Sequence, residues 1–378
     1  MDAMRVAMIC PYSLSRPGGV QGQALGLARA LRRVGHEVAL LSPDDGRPAG
    51  LAPAGFDGTH VVGRSQRLHS NGSVAPVALS PGTAWRVEHF VRENAPDVVH
   101  LHEPMAPVTG YGCLLERPAP LVGTYHRSGS SSWYRMLRPL AGWANGRLDV
   151  RCAVSEAARE TAATAMGGSY RVLFNGVEVT RFQGAAPFPT ETTTVLYLGR
   201  HEERKGLGVL LAAFAEVPCP AVLWVAGDGP DTDALQHRYP ESERVRWLGV
   251  LTEEEVASRL AGADVLCAPS LRGESFGMVL LEGMAARCAV VASDLPGYRA
   301  AAGGHAVLVP PGDVVALAKT LAETLAAATE GTGSSSPPAL AAGLRHAEGW
   351  SMDRLAERYV GIYVEAIGSR GSVRGGIA

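Results

Sequence analysis

Short runs of almost unbroken apolar residues alternate along the chain with longer stretches of helical spacing, and this rhythm restricts the available folds more than any other feature. The runs fall at residues 5–10, 37–42, 98–102, 121–125, 194–198, 221–226, 265–268 and 289–293. A strand with one wet face alternates apolar and polar residues. A run that is apolar throughout has both faces covered, as in parallel sheets flanked by helices on each side. At 378 residues the chain exceeds what one hydrophobic core usually organises, so two α/β domains of roughly 150–200 residues each are expected. Both should be doubly wound, Rossmann-like parallel-sheet domains.

The boundary is expected between residues 175 and 194, where Asn175-Gly176-Val177 makes a turn and Ala185-Ala186-Pro187-Phe188-Pro189-Thr190 interrupts any helix. The expected domains are residues 1–175, residues 176–350, and a C-terminal helix and tail at 351–378, with that helix crossing back to the first domain. Residues 352, 355, 356, 359, 360 and 363 are apolar at helical spacing. The Gly/Ser/Pro stretch 331–338 is expected to be mobile and the tail 368–378 frayed.

Composition excludes several classes. Apolar residues make up 46%, charged residues 19%, and the formal net charge is −2, so nothing marks a disordered chain or one that coats nucleic acid. The cysteines at 10, 113, 152, 219, 267 and 288 show no C-x-x-C spacing and read as small buried residues in a reducing compartment. No leader-like apolar segment follows Met1, and no apolar run approaches the ~20 residues of a membrane-spanning helix. The expected location is cytoplasmic, with peripheral contact at the inner face of the cell membrane left open.

Chemistry concentrates at the ends of the expected strands. After the first strand, Pro17-Gly18-Gly19-Val20-Gln21 leads into a helix expected at about residues 21–34. Amides exposed by paired glycines at a helix N-terminus suit a diphosphate, although ordinary turn chemistry gives the same pattern. In the second half, Gly199-Arg200-His201-Glu202-Glu203-Arg204-Lys205-Gly206 sets two cations at the carboxyl edge of a sheet. That is where open α/β sheets bind ligands, and the cations could neutralise a departing diphosphate; the alternative is a solvated charged loop. Further on, Gly273-Glu274-Ser275-Phe276-Gly277-Met278-Val279-Leu280-Leu281-Glu282 places two carboxylates eight residues apart, Glu274 in a loop and Glu282 about two turns into a helix. One could face a sugar and the other accept from a ribose diol, or they could be a plain loop carboxylate and an exposed helix residue.

Taken in order, Pro17-Gly18-Gly19-Val20, Arg200 with Lys205, and Glu274-x7-Glu282 resemble family 4 of the retaining GT-B glycosyltransferases, over essentially the whole chain. Within it, Met8-Ile9-Cys10-Pro11-Tyr12-Ser13, Asn71-Gly72-Ser73-Val74-Ala75, His102-Glu103-Pro104 and Cys267-Ala268-Pro269 resemble the phosphatidylinositol mannosyltransferases of actinobacteria. The resemblance implies two Rossmann-like domains facing a deep cleft and a nucleotide-diphosphate sugar, GDP-mannose favoured, as co-substrate with no metal cofactor. It implies that Gly18 and Gly19 abut the donor diphosphate and that Arg200 and Lys205 bind its phosphates. Glu282 would hold the ribose and Glu274 the transferred sugar, with Gly227, Ser275, Phe276 and Gly277 completing the donor side. His126, in Thr124-Tyr125-His126, would face donor sugar and acceptor, with Tyr12, Gln21 and Asn71 lining a polyol acceptor pocket. His126, Arg200, Lys205 and Glu274 would be catalytic. Transfer would proceed on one face of the sugar, the leaving diphosphate taking the hydroxyl proton, after domain closure.

Three features stand apart. Asp231-Thr232-Asp233 has the D-x-D form used elsewhere to hold a cation, but it precedes a helix and reads as capping by Asp231 or Asp233. His100 and His102 point to one side of a strand and read as cleft-lining or core residues without a third metal ligand. The close relatives' basic lipid-binding helix is missing, since residues 83–94 balance Arg86 and Arg92 with Glu88 and Glu93. Residues 127–151, with Arg127, Arg135, Arg138, Arg147 and Arg151 among Trp133, Tyr134 and Trp143, offer another interfacial candidate, or else inward-packed aromatics and solvated arginines. The acceptor is therefore expected to be inositol-containing, such as phosphatidylinositol. The alternatives are another sugar moved to a soluble or natural-product acceptor, a nucleotide-sugar epimerase, and a non-catalytic nucleotide-sugar binder.

Overall fold

The structure is a computed structural model that describes residues 3–15, 18–44, 56–70, 73–127, 138–218, 220–274 and 276–375. It divides into two compact units, one formed by Met1–Gly176 with Met352–Ala378 and the other by Val177–Ser351.

The first unit is built on eight strands: β1 (Arg5–Ile9), β2 (Glu37–Asp44), β3 (Thr59–Ser70), β4 (Ser73–Ala78), β5 (Val98–His102), β6 (Leu121–Tyr125), β7 (Val150–Ala153) and β8 (Arg171–Val172). Their order is β4-β3-β2-β1-β5-β6-β7-β8. All pairings are parallel except β3 with β4, which forms an antiparallel ladder. This hairpin departs from the wholly parallel expectation. The central strands are buried on both faces because the residues allow it: Val6, Ala7, Met8 and Ile9 of β1 are each at most 2% exposed. The helix Gly19–Arg33 buries Ala24, Leu25, Leu27, Ala28 and Leu31. Arg32 and Arg33 in its last turn complement the helix dipole, and Gly35 at φ +94 ends it.

The C-terminal helix Met352–Gly375 belongs to this unit. Met352, Leu355, Ala356, Tyr359, Val360 and Tyr363 are all buried. Close packing needs glycine here: a Cβ at Gly26 would lie 2.7 Å from Met352 Cε, and one at Gly176 2.6 Å from Met352 Sδ. The Gln23 side chain closes the same corner, donating to Gly176 O at 2.9 Å and accepting from Gly176 N at 2.8 Å.

The second unit carries β9 (Thr193–Leu198), β10 (Ala221–Ala226), β11 (Val245–Gly249), β12 (Val265–Ala268), β13 (Ala289–Ser293) and β14 (Val307–Val309), in the order β11-β10-β9-β12-β13-β14 and parallel throughout. Leu207, Leu210, Leu211 and Phe214 from the helix Leu207–Ala215 join Val195, Leu223, Val265, Leu317 and Leu321 in its core. The helix Glu253–Gly262 starts at a full capping box, Thr252 and Glu255 satisfying each other's main-chain N–H.

Both sheets reverse direction once, between β1 and β5 in the first and between β9 and β12 in the second. The loops leaving the carboxyl ends of those strands flank the crevice where such sheets bind ligands. Gly18 follows β1, Arg200 and Lys205 follow β9, and Glu274 follows β12, whereas His126 follows β6, Gly227 follows β10 and Glu282 lies within a helix.

The structure differs from expectation at three further places. Residues 331–338 form a short 3-10 turn, Gly333–Ser335, and the start of the helix Pro337–Glu348, because Pro337 supplies a helix-compatible φ at the first position and Ser335 is buried. The last helix continues through the expected frayed tail to Gly375. At the D-x-D sequence, Asp231 occupies the cap position of the helix Thr232–Arg238 without a side-chain cap bond. The Thr232 hydroxyl fastens the turn instead, donating to Asp228 Oδ1 at 2.9 Å while accepting from Gly229 N at 2.9 Å. The cysteines at 10, 113, 152, 267 and 288 are free and buried; Cys219 lies outside the described residues.

Candidate active site

In the second unit, β9 delivers the chain to Gly199 and Arg200, and the 3-10 turn Glu203–Lys205 turns it back toward the loop after β12. Gly206 makes the approach possible. Its φ is +71, and a Cβ there would run into the carbonyl oxygen of Pro269. Lys205 is thereby held with Nζ 2.7 Å from Glu274 Oε1. The same oxygen accepts from Ser270 Oγ at 3.0 Å and from Arg204 Nη1 at 3.4 Å, and Ser270 Oγ in turn meets the Tyr298 hydroxyl at 2.9 Å. Glu202 links the remaining cations, one oxygen 2.9 Å from Arg200 Nε and the other 2.8 Å from Arg204 Nε. Three cations and two carboxylates thus form one connected set, with Arg200 exposed at its edge.

This set brings Arg200, Lys205 and Glu274 together as the sequence suggested, and adds Glu202, Arg204, Ser270 and Tyr298, which were missed. Arg204 sits between two carboxylates and next to Lys205, so its adjacency was the available signal. Ser270 follows the quoted Cys267-Ala268-Pro269 by one residue.

Glu282 is placed elsewhere. It sits one turn, not two, into the helix Met278–Ala285, half-buried. Burial raises its carboxyl pKa above the usual 4.5, Arg181 opposes that, and Glu253 and Glu178 add to it. Phe276 is buried with its ring 5.0 Å from Trp350, so its side chain is core and only its main chain is left for a ligand. Gly277 (φ +97) and Gly227 (φ +122) occupy left-handed positions; a Cβ on Gly227 would strike the Gly199 carbonyl oxygen, so this glycine lets the two loops touch. Ser275 lies outside the described residues.

In the first unit, Gly18 is an extended cap and Gly19 the first residue of the helix, two residues earlier than expected. Both are exposed, and a Cβ on Gly19 would meet no described residue within 4 Å. Among the described residues, packing does not demand a glycine there. A Cβ on Gly18 would press on the Gln21 side chain. Gln21 is buried, its Nε2 donating to Ser13 O at 3.4 Å. Tyr12 bridges to Val77, and burial, then nearby Glu103, raises its phenol pKa. Asn71 lies outside the described residues.

His126 follows β6. Its backbone N–H donates to Glu103 Oε1 at 2.6 Å and its ring Nε2 lies 2.9 Å from His102 Nδ1. Beneath these, His100 is 4.4 Å from the His102 ring, with Nδ1 2.8 Å from the Tyr363 hydroxyl and Nε2 2.8 Å from Thr124 Oγ1. Burial lowers the His126 pKa to about 3 and that of His100, with His126 as a second cause, to about 3; His102 is lowered strongly by the same burial. All three rings are neutral at physiological pH. His100 and His102 are core residues, one of the two readings left open. Glu103, from the His102-Glu103-Pro104 motif, has a φ of +46, a loop fixed in a sparsely populated conformation.

Among the described residues no three His, Cys, Asp or Glu side chains gather as a set able to hold a metal ion, and no helix is long and apolar enough to cross a membrane. The segment 128–137 of the arginine-tryptophan stretch lies outside the described residues. Of the rest, Trp143 is 43% exposed, with the Arg147 guanidinium 5.1 Å from its ring centre.

Residues 17–181 match the family described as Glycosyltransferase Family 4, and residues 192–327 match Glycosyl transferases group 1. The phosphatidyl-myo-inositol mannosyltransferase of Mycolicibacterium smegmatis is 39% identical over 335 residues, spanning 84% of each chain. That of Mycobacterium tuberculosis is 40% identical over 344 residues, spanning 86% of this chain and 88% of its own. Among solved structures, Anabaena HepE in complex with UDP and glucose superposes with a TM-score of 0.70 at 20% identity, over 95% of this chain and 99% of that one. Sucrose-phosphate synthase from Thermosynechococcus elongatus does so with a TM-score of 0.71 at 20% identity, over 97% and 100%. At such identity the structural likeness speaks for the fold alone, the two-domain GT-B architecture, while the sequence relatives carry the family. This chain is a GT-B glycosyltransferase and belongs to glycosyltransferase family 4.

Proposed function

We propose that the enzyme transfers a mannosyl group from GDP-mannose, with retention of anomeric configuration, to the inositol ring of phosphatidylinositol at an anionic membrane surface. The observation that carries the donor side is the connected set Arg200, Glu202, Arg204, Glu274 and Lys205, a positively charged loop pair at a sheet switch point with one carboxylate held among cations. Arg200, Lys205 and the main chain at Gly18 and Gly19 take the diphosphate, Glu282 the ribose hydroxyls, and Glu274 with the main chain at 275–277 the sugar. Mannose and inositol enter through the relatives' names.

In the reaction the acceptor oxygen bonds to the anomeric carbon as the bond from that carbon to the β-phosphate oxygen breaks. The electron pair goes to the leaving diphosphate, which also takes the hydroxyl proton from the same face. Cationic groups aimed at the developing charge supply the main stabilisation. His126, neutral and half-buried, touches the sugar or acceptor, with Tyr12, Gln21 and Asn71 on the polyol. This reading calls on no metal ion, so turnover should survive a chelator.

One observation favours a second reading, transfer to a soluble inositol-containing acceptor. On the helix Pro81–Asn94, Arg92 pairs with Glu88 and Glu116 and Arg86 donates to Val62 O at 2.6 Å, so both arginines are engaged within the protein. Nucleotide release separates the readings when GDP-mannose, UDP-glucose and UDP-N-acetylglucosamine are each tested with phosphatidylinositol vesicles, with soluble inositol phosphate, and alone. Lipid-dependent GDP release supports the first. Release with the soluble acceptor only supports the second, conversion without acceptor indicates an epimerase, and binding without release a non-catalytic binder.

A further inference from the structure

The hydrogen bond beneath His126 has a direction, and the direction decides what His126 offers a ligand. His102 Nδ1 and His126 Nε2 lie 2.9 Å apart, the rings 5.1 Å between centroids and tilted by 29°. His102 is 3% exposed, and among the described residues its Nε2 is a buried atom without a hydrogen-bond partner. His100, stacked on its other side, is engaged by Tyr363 and Thr124.

Two neutral imidazoles share one proton across such a contact, so there are two arrangements. If His126 donates from Nε2, His102 accepts at Nδ1 and must carry its own proton on Nε2, leaving a buried N–H with no acceptor. If His102 donates from Nδ1, its Nε2 is a bare lone pair instead. Buried orphan N–H groups are the rarest unsatisfied groups in proteins, and an unused acceptor is tolerated more often. The second arrangement is favoured. It leaves His126 with its proton on Nδ1, for which no described residue provides an acceptor.

We propose that His102 is a positioning residue that donates its Nδ1–H to His126 and holds it as the Nδ1–H tautomer, making His126 a hydrogen-bond donor to a sugar or acceptor oxygen and not a base. Which ring nitrogen of a histidine carries the proton is set by what the other nitrogen meets. The main-chain bond from His126 N to Glu103 Oε1 at 2.6 Å fixes the base of the same side chain. The assignment of a donor rests on the proposed same-face transfer, in which the leaving diphosphate takes the hydroxyl proton and no base is required.

The test uses the full-length protein with nitrogen-15-labelled histidine. In the wild-type spectrum at neutral pH, His126 should show a protonated Nδ1 and an unprotonated, hydrogen-bonded Nε2; a protonated Nε2 overturns the proposal without any mutation of His102. Resonances are assigned by loss in His126→Gln. His102→Phe keeps the ring volume and removes the donor, so His126 should shift toward the Nε2–H form and kcat should fall on the order of tenfold or more, with little change in donor KM. His102→Asn, whose amide can stand where Nδ1–H stood, should recover most of that loss. Equal activity of the Phe and Asn variants, with thermal midpoints alike, overturns the positioning role. A fully active His126→Ala would sink the role given to His126 in catalysis, and the spectrum would still decide between the two arrangements at His102.

Discussion

Replacing Lys205 with alanine removes the cation that most directly faces Glu274, and the consequence for rate can be separated from that for stability. A unit charge about 4 Å from a phosphate oxygen, at an effective dielectric near 20, interacts by ~4 kcal/mol. Only the part that grows as the sugar–phosphate bond breaks accelerates the reaction. Loss of one such group in other enzymes lowers kcat by about 10²–10³, and that range is expected for Lys205→Ala. The cost to the fold should be smaller. Glu274 keeps Ser270 Oγ at 3.0 Å and Arg204 at 3.4 Å, so its carboxylate is not orphaned, and the pair is partly exposed at 23% for Lys205 and 11% for Glu274. Breaking a buried pair outright costs ~3–5 kcal/mol, and with two donors kept on the carboxylate the loss here should fall well below that. Steady-state nucleotide release at saturating donor gives kcat, and thermal unfolding gives the stability change. A loss in kcat below about tenfold, ~1.4 kcal/mol, refutes the role of Lys205. A large loss accompanied by a comparable drop in stability assigns the effect to folding.

Other variants follow from the same geometry. Glu282 has a raised carboxyl pKa, so its burial disfavours the folded state once pH exceeds the raised value, and the penalty vanishes below the ordinary 4.5. Glu282→Gln should therefore raise the thermal midpoint at neutral pH, lose that gain in acid, and increase the donor KM because the ribose partner is gone. For His100 the sign is opposite: its pKa falls from 6.5 to about 3 on folding, so stability should decline as pH drops from 6.5 toward 3 and level off below. A thermal-midpoint titration should show that slope reduced in His100→Gln. Gly227→Ala places a Cβ against the Gly199 carbonyl oxygen at φ +122 and should destabilise the second unit by about 2 kcal/mol or more in denaturant titration.

The legible part of this protein was its strands. The eight expected runs all appear within two residues of their places, because burial on both faces writes itself as continuous apolar sequence. The antiparallel β3–β4 hairpin escaped because Thr59–Ser70 mixes histidine, arginine and serine with its apolar residues, although Asn71-Gly72 between the two strands is a strong two-residue hairpin signal that could have found it. At the site, motif spacing placed Arg200, Lys205 and Glu274 on facing loops, but the contacts that join them were invisible. Glu202 and Arg204 read as ordinary members of a charged run until Gly206 folds that run against Pro269. The ring of Phe276 packs against Trp350, 74 residues along the chain, a contact that its place in the motif does not reveal. Pairings that close only in three dimensions, such as Tyr363 with His100 or Gln23 with Gly176, leave no local trace.

Retaining mannosyl transfer to an inositol ring leaves its mark in the linkage of the product. Purified full-length enzyme, GDP-mannose and phosphatidylinositol vesicles should yield GDP and a mannosylated lipid whose anomeric proton and carbon signals show the α configuration of the donor. A β-linked product, or GDP-mannose left intact while another nucleotide sugar is consumed, would contradict it.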